Sequence, residues 1–207
     1  MLAGYRKMGA LALEKILPFD KRRSGFLVGE GAGIMILENE STAKGRGAKI
    51  YARVLSHAYG FEDSDPIAFS KTGTGLSRCL KGLLLSAKIS PDDIQYVNLH
   101  GTATKTGDLY ETRQIKKAFN EESFHISMSS TKSLVGHMLG AAGAVELIAC
   151  LVAMRDHFIP PTANLEKADP ECDLDYTPLK SKEKQVDLAC SISMGFGGQL
   201  GAILVGR

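Results

Sequence analysis

No apolar run in this sequence of 207 residues is long enough to cross a bilayer. The longest, Ala141 to Met154, is broken by Glu146 and falls short of the roughly 20 residues a spanning helix needs. The opening stretch MLAGYRKMGA has no apolar core ahead of a cleavage site, so no signal peptide is expected. Cysteine is scarce: there are four, at 79, 150, 172 and 190, without a Cys-x-x-Cys pair. No grouping of Cys, His and carboxylates has zinc spacing, so no metal site is expected from these residues. Cys79, Cys150 and Cys190 stand in apolar surroundings, the setting of reduced thiols in a cytoplasmic protein. Excess charge is missing too. A net charge of +2 is too slight to imply nucleic acid or a membrane surface as partner. Repeats and low-complexity segments are absent. What remains is a globular composition, 44% hydrophobic and 23% charged, in a chain long enough to bury a sizeable core.

The pattern along the chain alternates strand and helix. LPFDKRRSGFLVGEGAGIMILENE reads as a loop followed by Gly-broken apolar strands, and AKIYARVLSHAYG as a strand. EDSDPIAFSKTGTG is a polar loop. LSRCLKGLLLSAK sets Leu76, Cys79, Leu80, Leu83 and Leu84 on one helical face. SPDDI has helix-start chemistry, IQYVNLH is a short strand, and GDLYETRQIKKAFN is a helix. In that helix Asp108 reads as the cap and Glu111 as its capping-box partner. FHISMSS is a further strand. From about Met138 to Arg155 a helix is apolar nearly all round, which predicts burial on most faces. IPPTANL is an extended loop, and VDLACSISMGFGGQLGAILVG gives two strands joined at a Gly-rich turn. This order predicts an α/β fold with a mixed sheet.

Several residues invite chemistry. His100 ends a strand, where open α/β sheets hold ligands, with a loop His bonded to backbone as the minority alternative. His137 stands between Gly136 and Gly140 at the start of the apolar helix. A helix N-terminus disfavours the imidazolium, so a neutral donor is expected there, with simple capping as the alternative. Glu146 within the apolar helix needs a partner, and Lys132 is the candidate. GFGG at 195–198 is either a hairpin turn or a source of N–H groups for an oxyanion. GEGAG at 29–33 is followed by a strand-like segment and not by a helix bearing Lys-Ser/Thr, which argues against a phosphate loop. Lys44, Arg46 and Lys49 read as a solvated turn, with a docking patch for an acidic partner as the minority reading.

Taken in order, PFDKRRSGFLVGEGAG, ISPDDIQYVNLHGTATKTGD, SSTKSLVGHMLGAAGAVE, IPPTANL, CDLDY and GFGG resemble the carboxyl-terminal half of β-ketoacyl-acyl carrier protein synthases of the KAS II type. These are condensing enzymes of fatty-acid and polyketide synthesis. The resemblance implies a thiolase-like α/β fold, a mixed sheet with helices on both faces, forming the second half of a two-repeat architecture. Residues 1–50 would close the amino-terminal half and 51–207 form the carboxyl-terminal one. By the same resemblance His100 and His137 bind the malonyl thioester and stabilise the enolate, with Lys132 and Glu146 as their support. Thr102, Thr104, Gly197 and Gly198 would meet substrate, and Phe196 would gate the site. No cofactor is implied beyond the phosphopantetheine of acyl carrier protein, apart from a monovalent cation at Asn98, Glu146 and Ser191.

The sequence also departs from the family. Its nucleophilic Cys lies in an Ala-Cys-Ser elbow ahead of the HGTAT segment, and no such elbow precedes His100. LACSIS at 188–193 carries the letters but leads into GFGG, so Cys190 reads as a structural strand residue. Where the family has Asn-Ser-Phe-Gly-Phe-Gly-Gly-Thr-Asn, this chain has Ile192 through Leu200, and Ile192 offers no cation ligand. The expected role is the carboxyl-terminal part of a condensing enzyme, joined by acyl carrier protein and a Cys-bearing half or partner chain in a dimeric assembly. The alternative is a non-catalytic, chain-length-factor-like scaffold.

Overall fold

Each short apolar strand and amphipathic helix has a face to bury, and layering them is the economical solution. The computed structural model describes residues 2–62 and 72–207. Most of the expected loop EDSDPIAFSKTGTG, at 63–71, lies outside the described residues. The described elements are α1 (Leu2–Lys7), α2 (Glu40–Gly45), β1 (Arg53–Phe61), α3 (Gly75–Ala87), β2 (Tyr96–Asn98), α4 (Lys105–Phe119), β3 (Ser127–Ser129), α5 (Lys132–Val135), α6 (Ala142–Asp156), β4 (Phe158–Ile159), β5 (Lys182–Glu183), β6 (Leu188–Gly195) and β7 (Gln199–Gly206). Five strands form one mixed sheet in the order β1-β7-β6-β2-β3. β6, β2 and β3 run parallel, while β7 is antiparallel to both β1 and β6.

Helices cover both faces, as the sequence predicts. On one face α3 buries Leu76, Cys79, Leu80, Leu83 and Leu84, the residues its periodicity selects, against Val97, Ile192 and Leu204. Each fully buried Leu contributes roughly 1.5–3 kcal/mol relative to exposure. On the other face α6 packs Leu147, Cys150 and Met154 against Tyr96, Ala189 and Val205. All three residues of β2 are buried, as a central parallel strand between two helical layers requires. The terminal hairpin pairs β6 and β7 from Leu188↔Gly206 to Gly195↔Gln199.

Three expectations need correction. Residues 26–38 form no strand; they make only the isolated bridges Leu11↔Phe26 and Val28↔His137. A strand needs a ladder, and among the described residues no neighbouring strand supplies one, so Ile34, Ile36 and Leu37 stand exposed. Helix α6 is buried on one face and half-exposed on the other, so its uniform apolarity exceeds what this chain covers. Finally, α4 begins at Lys105, which moves Asp108 and Glu111 out of capping positions and into the buried face. The exposed cations behave as expected: Lys44 pairs with Glu40 and Arg46 with Glu38.

The topology places the candidate site. The carboxyl ends of the parallel strands β2, β3 and β6 share one edge of the sheet. His100 follows β2, Lys132 and His137 follow β3, and the turn Phe196–Gly198 follows β6. Three sequence-distant loops therefore converge where open sheets bind ligands.

Candidate active site

The two histidines are fixed by main-chain bonds. The N–H groups of His100 and Gly101 donate to the Glu111 carboxylate at 2.7 and 2.8 Å. His137 is pinned through its N–H to Leu27 O at 2.8 Å, while its own carbonyl accepts from Gly29 N–H at 3.0 Å. The glycines of GEGAG explain themselves here. A Cβ at Gly29 would lie 2.3 Å from Val135 O, and one at Gly31 2.6 Å from Met138 Sδ. They let the chain pass close over the His137 loop.

Each imidazole also has its tautomer set. His100 Nδ1 accepts from Met194 N–H at 3.2 Å, and His137 Nδ1 accepts from Leu139 N–H at 3.3 Å. A neutral ring that accepts at Nδ1 carries its proton at Nε2. Burial, then Lys132, holds the His137 pKa down to about 3, and burial, Lys132 and His137 hold His100 well below its usual value. Both are thus neutral N–H donors. Their ring centroids lie 5.6 Å apart with planes at 87°.

Behind them the Lys132 ammonium pairs with Glu146, and both side chains are almost completely buried. Burial raises the Glu146 pKa and Lys132 opposes it. Glu146 Oε2 and Asn98 Oδ1 are buried without a hydrogen-bond partner. Asn98 stands opposite Ser191 across β2 and β6. Ile192 belongs to the core on the α3 face, away from these oxygens. Among the described residues no three His, Cys, Asp or Glu side chains group to hold a metal ion.

Asp108 and Glu111 are site-building residues that their capping letters concealed. Asp108 accepts from Phe19 N–H at 2.8 Å and Glu111 holds the His100–Gly101 backbone. Burial raises Asp108 to about 7 and Glu111 to about 8, against the backbone bonds that favour the ionised forms. A signal was present: Asp108 and Glu111 share one helical stripe with the apolar Ile115 and Ala118, where an unpaired carboxylate would be costly.

Thr102 and Thr104 place their hydroxyls 3.3 Å apart beside α4. Gly197 and Gly198 adopt φ of +77° and +74° in the turn after β6. Phe196 in that turn is half-exposed and stacks on Tyr5 at 6.0 Å. Tyr5 meets Phe26 edge-on at 5.4 Å, and Phe26 meets His137 at 4.9 Å. This aromatic row links the turn to the His pair; Tyr5 and Phe26 carried no sequence signal. Cys190 is fully buried in β6, and burial pushes its thiol up to about 12, which suits a structural residue.

Two neutral N–H donors and a glycine turn meet at the carboxyl edge of a thiolase-like α/β/α half, an arrangement able to offer hydrogen bonds to an oxyanion. The comparisons identify the family. Residues 51–166 match the family model of the β-ketoacyl synthase C-terminal domain. A 3-oxoacyl-[acyl-carrier-protein] synthase 2 of Synechocystis sp. is 45% identical over 202 residues, covering 95% of this chain and 49% of that protein. A type II polyketide ketosynthase, solved in complex with its acyl carrier protein and bound to the hexaketide, superposes with a TM-score of 0.96 at 34% identity, covering 100% of this chain and 52% of that one. The ishigamide ketosynthase/chain length factor gives 0.94 at 35% identity, with coverages of 99% and 50%. The chain belongs to the β-ketoacyl synthase family, whose carboxyl-terminal half it matches. It spans about half the length of the curated relatives it matches.

Proposed function

We propose that this chain is the carboxyl-terminal part of a condensing enzyme that joins malonyl-acyl carrier protein to an acyl thioester by decarboxylative Claisen condensation. One observation carries the reading: His100 and His137 are both neutral, both locked as Nε2–H tautomers, with ring centroids 5.6 Å apart. The malonyl thioester oxygen accepts from both Nε2–H groups. Loss of carbon dioxide leaves an enolate whose charge those donors stabilise, and neutral imidazoles do not quench it by protonation. The enolate carbon attacks the acyl thioester carbonyl, backbone N–H groups near Phe196 receive the second oxyanion, and its collapse breaks the C–S bond and expels the Cys thiolate. Phe196 gates acyl entry, Thr102 and Thr104 line the phosphopantetheine path, and Gly197 and Gly198 meet substrate. Asn98 Oδ1 and Glu146 Oε2, with Ser191, fit a monovalent cation that would add fixed positive charge behind the site.

The nucleophilic Cys comes from an amino-terminal half or a partner chain in a dimeric, cytoplasmic assembly. Residues 1–50 then close that half, and its packing covers the exposed Ile34, Ile36 and Leu37 and the open face of α6. Among the described residues no helix is long and apolar enough to cross a membrane.

Native mass spectrometry of the protein from its source should reveal a companion that carries an Ala-Cys-Ser elbow. In that assembly His100→Ala and His137→Ala should each slow condensation about 10²–10³-fold, the effect of removing one oxyanion donor. Unchanged condensation in both would instead make the chain a scaffold of the chain-length-factor kind, a reading favoured by Ile192, Gln199 and Leu200 in the terminal motif.

A further inference from the structure

The first turn of α3 is closed by side chains from other elements. Thr74 precedes the helix but makes no side-chain cap. Instead Gly75 N–H donates to Glu62 Oε2 at 2.7 Å, Leu76 N–H to Tyr110 Oη at 3.2 Å, and Ser77 N–H to Gln114 Oε1 at 3.2 Å. Tyr110 Oη donates in turn to Glu62 Oε2 at 2.5 Å. One phenol on α4 thus accepts from the helix and donates to the carboxylate that caps it. A carboxylate at a helix N-terminus is favoured by the helix dipole, and its hydrogen bonds are of the strong, charge-assisted kind. Burial, then Glu62, keeps the phenol protonated well above its usual range.

The backbone of Glu62 meets the turn of the candidate site. Its N–H donates to Gly198 O at 2.8 Å. A Cβ on Gly198 would lie 2.2 Å from Glu62 O, so the two backbones fit without a gap. At the other end of the turn Met194 N–H is held by His100 Nδ1. The Phe196–Gly198 turn is therefore suspended between His100 and Glu62, and Glu62 is held by Tyr110.

We propose that Tyr110 is a positioning residue: by fixing Glu62 against the first turn of α3, it sets the place of the Phe196–Gly198 turn beside the His pair. Its consequence for acyl entry rests on the gate reading given above.

The chain contains no tryptophan, so Phe196→Trp places a single emitter in the turn. In that background Tyr110→Phe removes one oxygen and keeps the ring. The variant loses both bonds of the phenol, the one from Leu76 N–H and the charge-assisted one to Glu62. Loss of the latter should raise hydrogen exchange at residues 195–200 about tenfold or more and increase acrylamide quenching of the new tryptophan in parallel. Glu62→Gln should act similarly, and the double variant should add little, because both changes break one link. Exchange at Tyr96–Asn98 should keep its protection. Unchanged quenching and exchange in both single variants overturn the proposal. So does an equal loss of protection through β2, which would mark general instability and no local positioning. Acyl transfer is read separately in the assembled enzyme, where Tyr110→Phe should slow loading of the Cys and spare malonyl decarboxylation. A loosened turn with unaltered loading upholds the positioning by Tyr110 and sinks the gate reading.

Discussion

Replacing Lys132 by Met probes the charge at the centre of the site. The ammonium is buried and paired with Glu146, and Met preserves most of the side-chain volume. Removing one partner of a buried pair costs about 3–5 kcal/mol, because the other charge is left uncompensated. At about 2–4 °C per kcal/mol for a chain of this size, Tm should fall by roughly 6–20 °C. The loss has a pH dependence with a definite sign. Burial already raises Glu146 and Lys132 opposes it, so without Lys132 the carboxyl rises further. Between the unfolded value and the raised folded value, the unfolded chain has released a proton that the folded chain keeps. Stability of the variant therefore falls as pH rises through that interval, and the loss should be smaller at about pH 5 than at about pH 8. Lys132 also ranks after burial among the causes that depress His100 and His137, so both should titrate at higher pH in the variant. Thermal unfolding at the two pH values, with ¹⁵N NMR of the imidazoles, measures all of this. Adding Glu146→Leu should recover much of the lost Tm, since the orphaned charge is gone. A single variant as stable as the parent at the higher pH, or a double variant weaker than the single, would refute the reasoning.

Other expectations follow from the same geometry. In the parent protein His100 and His137 should show Nε2–H imidazole signals unchanged from about pH 5 to 8, and a midpoint near 6.5 for either contradicts the depressed values. Because their unfolded counterparts take up protons below about 6.5, these two groups should make stability decline as pH drops from there. Glu111→Ala leaves the N–H groups of His100 and Gly101 buried without acceptors, at roughly 1–3 kcal/mol each, and denaturant unfolding showing a total loss under about 1 kcal/mol would count against that role. All four cysteines are buried, so iodoacetamide should leave Cys190 unmodified in the folded protein; rapid labelling there would restore it as a nucleophile candidate.

The legible parts of the fold are those whose signal is local. Leu76, Leu80 and Leu83 repeat at helical spacing and face a single layer, so their burial could be read directly. The Gly-rich turn between two apolar runs announced the terminal hairpin. Residues 34–37 carry strand-like letters as well, but a strand is a relation between segments, and its partner is missing among the described residues. Asp108 and Glu111 deceived for another reason: a carboxylate near a helix start looks the same whether it caps its own helix or reaches into a neighbouring loop. The His pair was visible as two histidines beside glycines, while its tautomers were not. Met194 lies 94 positions from the ring it addresses, a distance no window along the chain spans.

The bonds that set those tautomers come from the main-chain N–H groups of Leu139 and Met194. A main-chain donor has no side chain to lose, and only proline at these two positions would remove it. The location of the two protons is therefore written into the path of the backbone and insulated from the drift of surrounding side chains. A lineage could exchange the side chains around these imidazoles and still inherit the same pair of donors.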